Sequence, residues 1–379
     1  MLDALIGKPG PESDWQLATY PKLPITLVRG SGSRVWDDGG KAYWDLYGGH
    51  AVALIGHSHP TWCAVVAEQA ARLAFYSNVV TCPVRAAACK AIVDFAPANL
   101  TRVFLSNSGA EANEVALKLA RHHTGRTDVV AFEGAFHGRT AAALSITASE
   151  KYRAYSAPLL GGTRWAQWGA LPSLDENVAA VILEPVQSLA GMRTATRDWL
   201  HALRTACDRV GALLILDEVQ TAWGRLGAPF AADLFEVRAD LITSAKGAAG
   251  GFPVGVTLVD DAIATQAKAG DHGSTFGAGP MACAAVLATH HVLRTEDLIA
   301  HARRIEQRAR SVLLQEIRGH GALLGIVLER PAAPAVAGLR DRGFLVGASD
   351  DPRVIRLMPP LNLPLEALDE LATALREVA

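Results

Sequence analysis

Five short runs along the chain are apolar almost without interruption: 102–106 (RVFLS), 128–132 (DVVAF), 179–185 (AAVILEP), 212–218 (ALLILDE) and 239–245 (ADLITSA). Runs of this length and character predict strands covered on both faces. Longer segments with a helical period lie between them. Residues 111–123 (EANEVALKLARHH) put Val115, Ala116, Leu119 and Ala120 on one stripe. Residues 197–211 (RDWLHALRTACDRVG) behave likewise and end at Gly211, a residue suited to the left-handed position after a helix. This alternation predicts an α/β domain with a mostly parallel sheet and helices on both faces.

The pattern changes near Met281. Helical periodicity runs through 282–293 and again through 296–317. A short apolar run (321–329), a helix near 333–342, a second run (354–358) and a final helix over 365–378 follow. The expectation is a smaller α+β domain. Residues 25–46 read as strands and turns rather than α/β units. The boundaries expected are 1–48 for an N-terminal segment packing with the small domain, 49–280 for the large domain and 281–379 for the small one. No internal repeat or low-complexity segment is visible.

Composition narrows the function classes. With 379 residues, 50% of them hydrophobic and 20% charged, the chain has the balance of a soluble globular protein of two or three domains. A formal net charge of −2 gives no basic footprint for nucleic acid or an anionic membrane. The five cysteines are odd in number and scattered, with no CxxC pair. That argues for a reducing, cytoplasmic setting and against a disulfide framework or a zinc knuckle. The first sixteen residues lack a basic and apolar leader pattern, so no signal peptide is expected. The apolar runs are too short to cross a bilayer.

Several candidate sites follow the predicted strands. Lys246 stands alone in ITSAKGAAGGFPVG (242–255), just past a predicted strand end, where open α/β sheets bind ligands. Desolvation there lowers an amine's pKa and makes it nucleophilic; the alternative is a surface lysine in a flexible loop. Asp217 ends LLILD at the same sheet edge and needs a cationic partner; a structural ion pair or helix cap is the other reading. In SNSGAEANE (106–114), Ser108 and Glu111 form a capping-box pattern, and the amides of Gly109 and Ala110 then offer an anion site. FEGAFHGRT (132–140) supplies Phe136, able to stack on a flat ring, and Arg139, able to fork onto a carboxylate. GDHGSTFGAGP (270–280) supplies Ser274 and Thr275 in a glycine-rich loop. His57 and His59 in GHSHP have no carboxylate or cysteine at ligand spacing, so no metal is expected and a turn before a helix at Pro60 is.

Together NSGAEANEVALKLAR, FHGRT, LLILDEVQT, SAKGAAGGFPVG and GDHGSTFG resemble the class III (ω-amino) aminotransferases of pyridoxal 5'-phosphate (PLP) fold type I. The chain looks most like the branch acting on N2-acetylornithine. The likeness runs from VWDDGGKAYWDL to VIRLMPPL. It implies that Lys246 holds PLP as a Schiff base and shuttles a proton, that Asp217 pairs with the pyridinium nitrogen, and that Gln220 approaches the ring hydroxyl. It implies that Phe136 stacks on the ring and that Gly109 and Ala110 hold the phosphate, joined by Thr275 from the other subunit of a homodimer. Arg139 and Ser274 match acetylornithine-binding positions, Arg356 the arginine for the glutamate α-carboxylate, and Glu184 a residue behind the site. The implied reaction passes the ω-amine to 2-oxoglutarate in arginine biosynthesis. Succinylornithine, ornithine or a carrier-bound lysine precursor are alternative donors; a glutamate-1-semialdehyde-type aminomutase and a non-catalytic PLP-binding protein are the other classes. The chain also departs from the family. Ser188-Leu189-Ala190-Gly191 stands where Gly-Glu-Gly-Gly is usual, so the glutamate that normally pairs with the position of Arg356 is Leu189 here. GAGP replaces GGNP, AWGRLG replaces GMGRTG, and His50 stands where an aliphatic residue is usual.

Overall fold

The computed structural model describes residues 2–6 and 10–378. Its centre is a seven-stranded sheet. In chain order the strands are β1 (Leu100–Ser106), β2 (Asp128–Phe132), β3 (Thr163–Ala166), β4 (Val178–Leu183), β5 (Leu213–Asp217), β6 (Leu241–Ser244) and β7 (Gly255–Asp260). The spatial order is β1-β7-β6-β5-β4-β2-β3. All strands run parallel except β7, which pairs antiparallel with both β6 and β1.

Alternation along β5 shows why both faces are covered. Successive side chains of a strand point to opposite faces. Leu214 and Leu216 pack in one core cluster with Trp199, Leu200, Leu203 and Cys207 of the helix Arg197–Val210. Leu213 and Ile215 pack in another with Ala116, Leu117 and Ala120 of the helix Gly109–Thr124. Gly211 closes the first of these helices at φ 70°, a left-handed conformation that a Cβ would strain.

The five expected strands of the sheet are present, and two more exist. β3 was too short and polar to stand out. β7 (GVTLVD) follows directly on the glycine-rich stretch, which reads as loop until the β-branched residues take over. The helix expected over 296–317 ends at Val312, and Glu316–His320 is a strand instead. Two consecutive leucines at 313 and 314 carry the apolar pattern past the true end, where Leu313 has extended φ and ψ of −89° and 130°.

The strand Glu316–His320 forms a three-stranded antiparallel sheet with Leu323–Val327 and Val354–Leu357. Near the N-terminus, Leu27–Ser31, Arg34–Asp37 and Ala42–Asp45 form a meander, and Phe344–Leu345 adds a parallel fourth strand to it. The two chain ends therefore share one sheet. Arg225, 1% exposed, fastens the layers: Nη1 donates to the carbonyls of Ala322 and Pro359, and Nη2 to that of Ala51. Burial pushes its pKa down to about 9. Among the described residues no helix is long and apolar enough to cross a membrane.

Candidate active site

In an open parallel sheet the helix-leading loops gather at the carboxyl ends of the strands. Here β1 leads to Gly109 and Ala110, β2 to Phe136 and Arg139, β4 to Glu184, β5 ends on Asp217, and β6 leads to Lys246. All seven line one cavity of about 540 Å³, together with Gln220 and Arg356. Ser274 and Thr275 do not line it. Ser274 Oγ accepts from Asn107 Nδ2 at 3.1 Å and from the Gly277 amide at 3.0 Å, while Thr275 is exposed.

Lys246 opens a short 3-10 turn with φ 45°, a left-handed backbone that non-glycine residues rarely take. Its amine makes no hydrogen bond or ion pair among the described residues. Burial pushes its pKa down to about 8, more than Asp217 and Glu184 restore. The site therefore makes a neutral amine far more accessible near physiological pH than an ordinary lysine does. A measurable consequence is expected in cofactor reconstitution. Its rate should rise with pH and level off just above 8, whereas an ordinary lysine would keep gaining toward 10.5. Stopped-flow absorbance of cofactor-free protein mixed with PLP reads this directly; a rise continuing past pH 10 would contradict it.

Asp217 is 3% exposed at the tip of β5. Its Oδ2 accepts from Asn113 Nδ2 at 2.8 Å and stands 2.7 Å from His137 Nδ1. Its Oδ1 accepts from the Val219 amide at 3.1 Å. Asn113 is itself oriented, donating to the His137 carbonyl at 2.7 Å and accepting from Thr243 Oγ1 at 2.6 Å. His137 Nε2 is buried without a partner among the described residues. The carboxylate is thus fixed from behind.

At the other end, Ser108 Oγ accepts from the Glu111 amide at 3.2 Å, and the first intrahelical bond runs from the Ala112 amide to the Ser108 carbonyl. The amides of Gly109 and Ala110 precede that bond and remain as an anion-binding helix terminus. The Glu111 carboxylate reaches the Asn107 amide rather than that of Ser108, so the reciprocal arm of the expected capping box is displaced by one residue. Gly109 has no room for a side chain: a Cβ would lie 2.7 Å from Val219 Cγ2.

Phe136 meets Tyr152 edge-on at 5.8 Å, and its amide donates to Glu184 Oε1 at 2.8 Å. Burial pushes the Glu184 carboxyl up to about 7, with His137 opposing and Asp217 adding to the rise. The Arg139 guanidinium lies 4.3 Å over the Tyr152 ring. Desolvation, with Arg356, Lys246 and Arg139 adding to it, lowers His50 to about 4. The histidines 57 and 59 lie elsewhere: His57 pairs with Asp45 and His59 with Glu296, just before the helix Pro60–Leu73.

The residues present fit PLP. An orphaned buried lysine answers an aldehyde, a carboxylate at the strand tip answers a protonated ring nitrogen, an aromatic side chain answers the ring, and free amides at a helix N-terminus answer a phosphate. Asn113 and Tyr152 have no place in the sequence reading; His137 is placed after β2 there without a role, and Ser188 enters only as part of a departure from the family pattern. A signal existed for Asn113, a polar residue on the buried stripe of an amphipathic helix.

Comparison with known proteins agrees. The family described as "Aminotransferase class-III" matches residues 17–379. An acetylornithine aminotransferase of Methanopyrus kandleri is 41% identical over 378 residues, covering 96% of each chain. One of Methanothermobacter thermautotrophicus is 38% identical, covering 97% of each. Among solved structures, the ornithine aminotransferase of Toxoplasma gondii superposes with a TM-score of 0.90 at 29% identity, covering 96% of this chain and 92% of that one. The acetylornithine aminotransferase of Elizabethkingia anophelis does so with a TM-score of 0.84 at 28% identity, covering 97% and 96%. The chain belongs to the class III aminotransferases, and its cofactor is pyridoxal 5'-phosphate.

Proposed function

We propose that this enzyme transfers the ω-amino group of N2-acetylornithine to 2-oxoglutarate, giving the semialdehyde and glutamate, as a cytoplasmic homodimer serving arginine biosynthesis. The observation that carries the reading is the pair of guanidinium groups, Arg139 and Arg356, lining the same cavity as Lys246. N2-acetylornithine carries its carboxylate far from the reacting amine and 2-oxoglutarate carries one next to the reacting keto carbon, and planar forks match carboxylates. The relatives named acetylornithine aminotransferase support the donor.

PLP, when bound, would supply an electron sink for the pair left when a C–H bond breaks on the carbon bearing the reacting amine. The protein's residues do the rest. Lys246 Nζ, whose pKa burial lowers to about 8, takes the proton and returns it. Asp217 presents its carboxylate to the ring nitrogen from the position in which Asn113 and His137 hold it. Glu184 fixes the Phe136 backbone, and with it the face offered to the ring. Arg139, backed by Tyr152, orients the carboxylate of the ω-amine donor. The amides of Gly109 and Ala110 receive the phosphate. Gln220 faces the cavity from the turn after β5.

Assay of the purified enzyme separates the alternatives. Transfer from N2-acetylornithine should require 2-oxoglutarate and release glutamate in equal amount. A panel of succinylornithine, ornithine and carrier-bound lysine should show lower kcat/KM. Amine migration within one molecule without any acceptor would instead indicate a mutase.

Homodimer formation is supported by an exposed apolar patch. Leu73, Phe75, Tyr76, Val79, Val80 and Phe276 are all exposed, and Phe75 and Phe276 touch at 5.1 Å between ring centroids. Thr275 adjoins this patch, so it can approach a second chain's phosphate site. Sedimentation at assay concentration should give a dimer; an active monomer would refute it. The five free cysteines support the cytoplasmic setting.

A further inference from the structure

Arg356 is 5% exposed and takes part in no ion pair among the described residues. Its hydrogen-bond partners are neutral: Nε donates to the Ala348 carbonyl and Nη1 to Ser188 Oγ at 3.1 Å. Among the described residues Nη2 donates to nothing. The guanidinium is therefore held at Nε and Nη1 while Nη2 is left without a protein partner among the described residues, in a cavity that both it and Ser188 line.

Ser188 is built to hold that position. It is 1% exposed and follows the strand Val186–Gln187, which pairs with Arg193–Thr194, so it begins the tip of a hairpin. The Met192 amide donates to its carbonyl at 3.3 Å, and the Asp350 amide donates to the next carbonyl, that of Leu189, at 2.8 Å. A serine hydroxyl has one proton and two lone pairs. Ser188 Oγ gives its proton to Gln220 Oε1, which leaves a lone pair for Arg356. Gln220 thus fixes the hydroxyl rotor, and the rotor fixes the arginine.

We propose that Ser188 is a specificity-determining residue, holding Arg356 ready for the carboxylate next to the reacting amine of an α-amino acid donor. The inference rests on the reading that Arg356 takes that carboxylate. A charged partner at this place would neutralise the guanidinium and compete with substrate. A hydroxyl orients it without neutralising it, so its charge stays available. A buried cation with neutral partners gains most from an incoming anion. An ω-amine, whose reacting carbon bears no carboxylate, gains nothing there. The site accordingly favours glutamate over N2-acetylornithine in the respective half-reactions.

The test uses cofactor-loaded enzyme and single-turnover absorbance with L-glutamate and with N2-acetylornithine, alongside equilibrium titration with glutarate, an unreactive dicarboxylate. Ser188→Asp should raise the glutarate Kd and the glutamate concentration at half-maximal rate by about tenfold or more, through a charge-assisted pair that substrate must break. Ser188→Ala should raise both by about tenfold through the lost anchor. In each variant the limiting rate should change less than the half-saturating concentration, and acetylornithine should suffer less than glutamate. Ser188→Thr, which keeps the hydroxyl, should recover most of the loss. Unchanged selectivity in Ser188→Ala and Ser188→Asp, or failure of Ser188→Thr to recover, overturns the proposal. Arg356→Gln separates the two levels: if it leaves glutarate binding intact, the role of Arg356 itself is overturned.

Discussion

Lys246→Ala should lower amine transfer by about 10⁴-fold or more, the upper range for removing a positioned proton-transfer group. The loss has two sources. The variant has no amine with which to hold the cofactor, and no base at the reacting carbon. Binding should survive better than turnover. The free amides at Gly109 and Ala110, the Phe136 ring and Asp217 all remain, and none of them depends on the lysine for its position. Removing an unpaired buried amine also relieves a desolvation cost, so the variant should fold at least as well as wild type. In wild type, borohydride reduction should fix the cofactor to Lys246, as read by peptide mapping. Reduction at any other lysine, or substantial turnover by the variant, would contradict the assignment.

Asp217→Asn should lower kcat by about 10²- to 10³-fold, since a carboxylate that stabilises a cationic ring is an electrostatic contribution of that order. The amide is nearly isosteric but wrong in two ways. It carries no charge for a protonated ring nitrogen. It also brings a donor into a place arranged for acceptance, where Asn113 Nδ2, His137 Nδ1 and the Val219 amide all point at Asp217. A shift of the bound cofactor's absorbance and a lower kcat with a small change in Tm would identify an electronic effect. A large fall in Tm with unchanged kcat in the folded fraction would show Asp217 to be structural.

Much of this was legible in the sequence, for physical reasons. The buried strands of the sheet are continuous apolar runs because both faces are covered, so 128–132 coincides with its strand. The residues that follow strand ends converge because parallel strands share a carboxyl edge. What was not legible depends on long-range partners. β7 lies beyond a glycine-rich turn and pairs with β1, whose Ser106 faces Gly255. Asn113 and His137 matter through Asp217, which is distant in the chain from both. Ser188 looked like one of several departures from a family pattern. Its meaning came from Arg356, 168 positions away. The late leucines 313 and 314 misled because apolar periodicity does not register a helix end.

The antiparallel strand β7 has a consequence for assembly. β1 pairs with the sheet only through β7, so the strand leading into Gly109 and Ala110 has no strand partner until the polypeptide has been made through Asp260. Pairing across that separation raises contact order and slows folding. During synthesis, β1 and the helix behind it wait with an open strand edge, the kind of surface on which chains associate wrongly. The edge of the cleft carried by β1 is therefore the last part of the large sheet to pair. A nascent chain released before β7 could still pack the helix Gly109–Thr124 on β5, but β1 would be left without a strand partner.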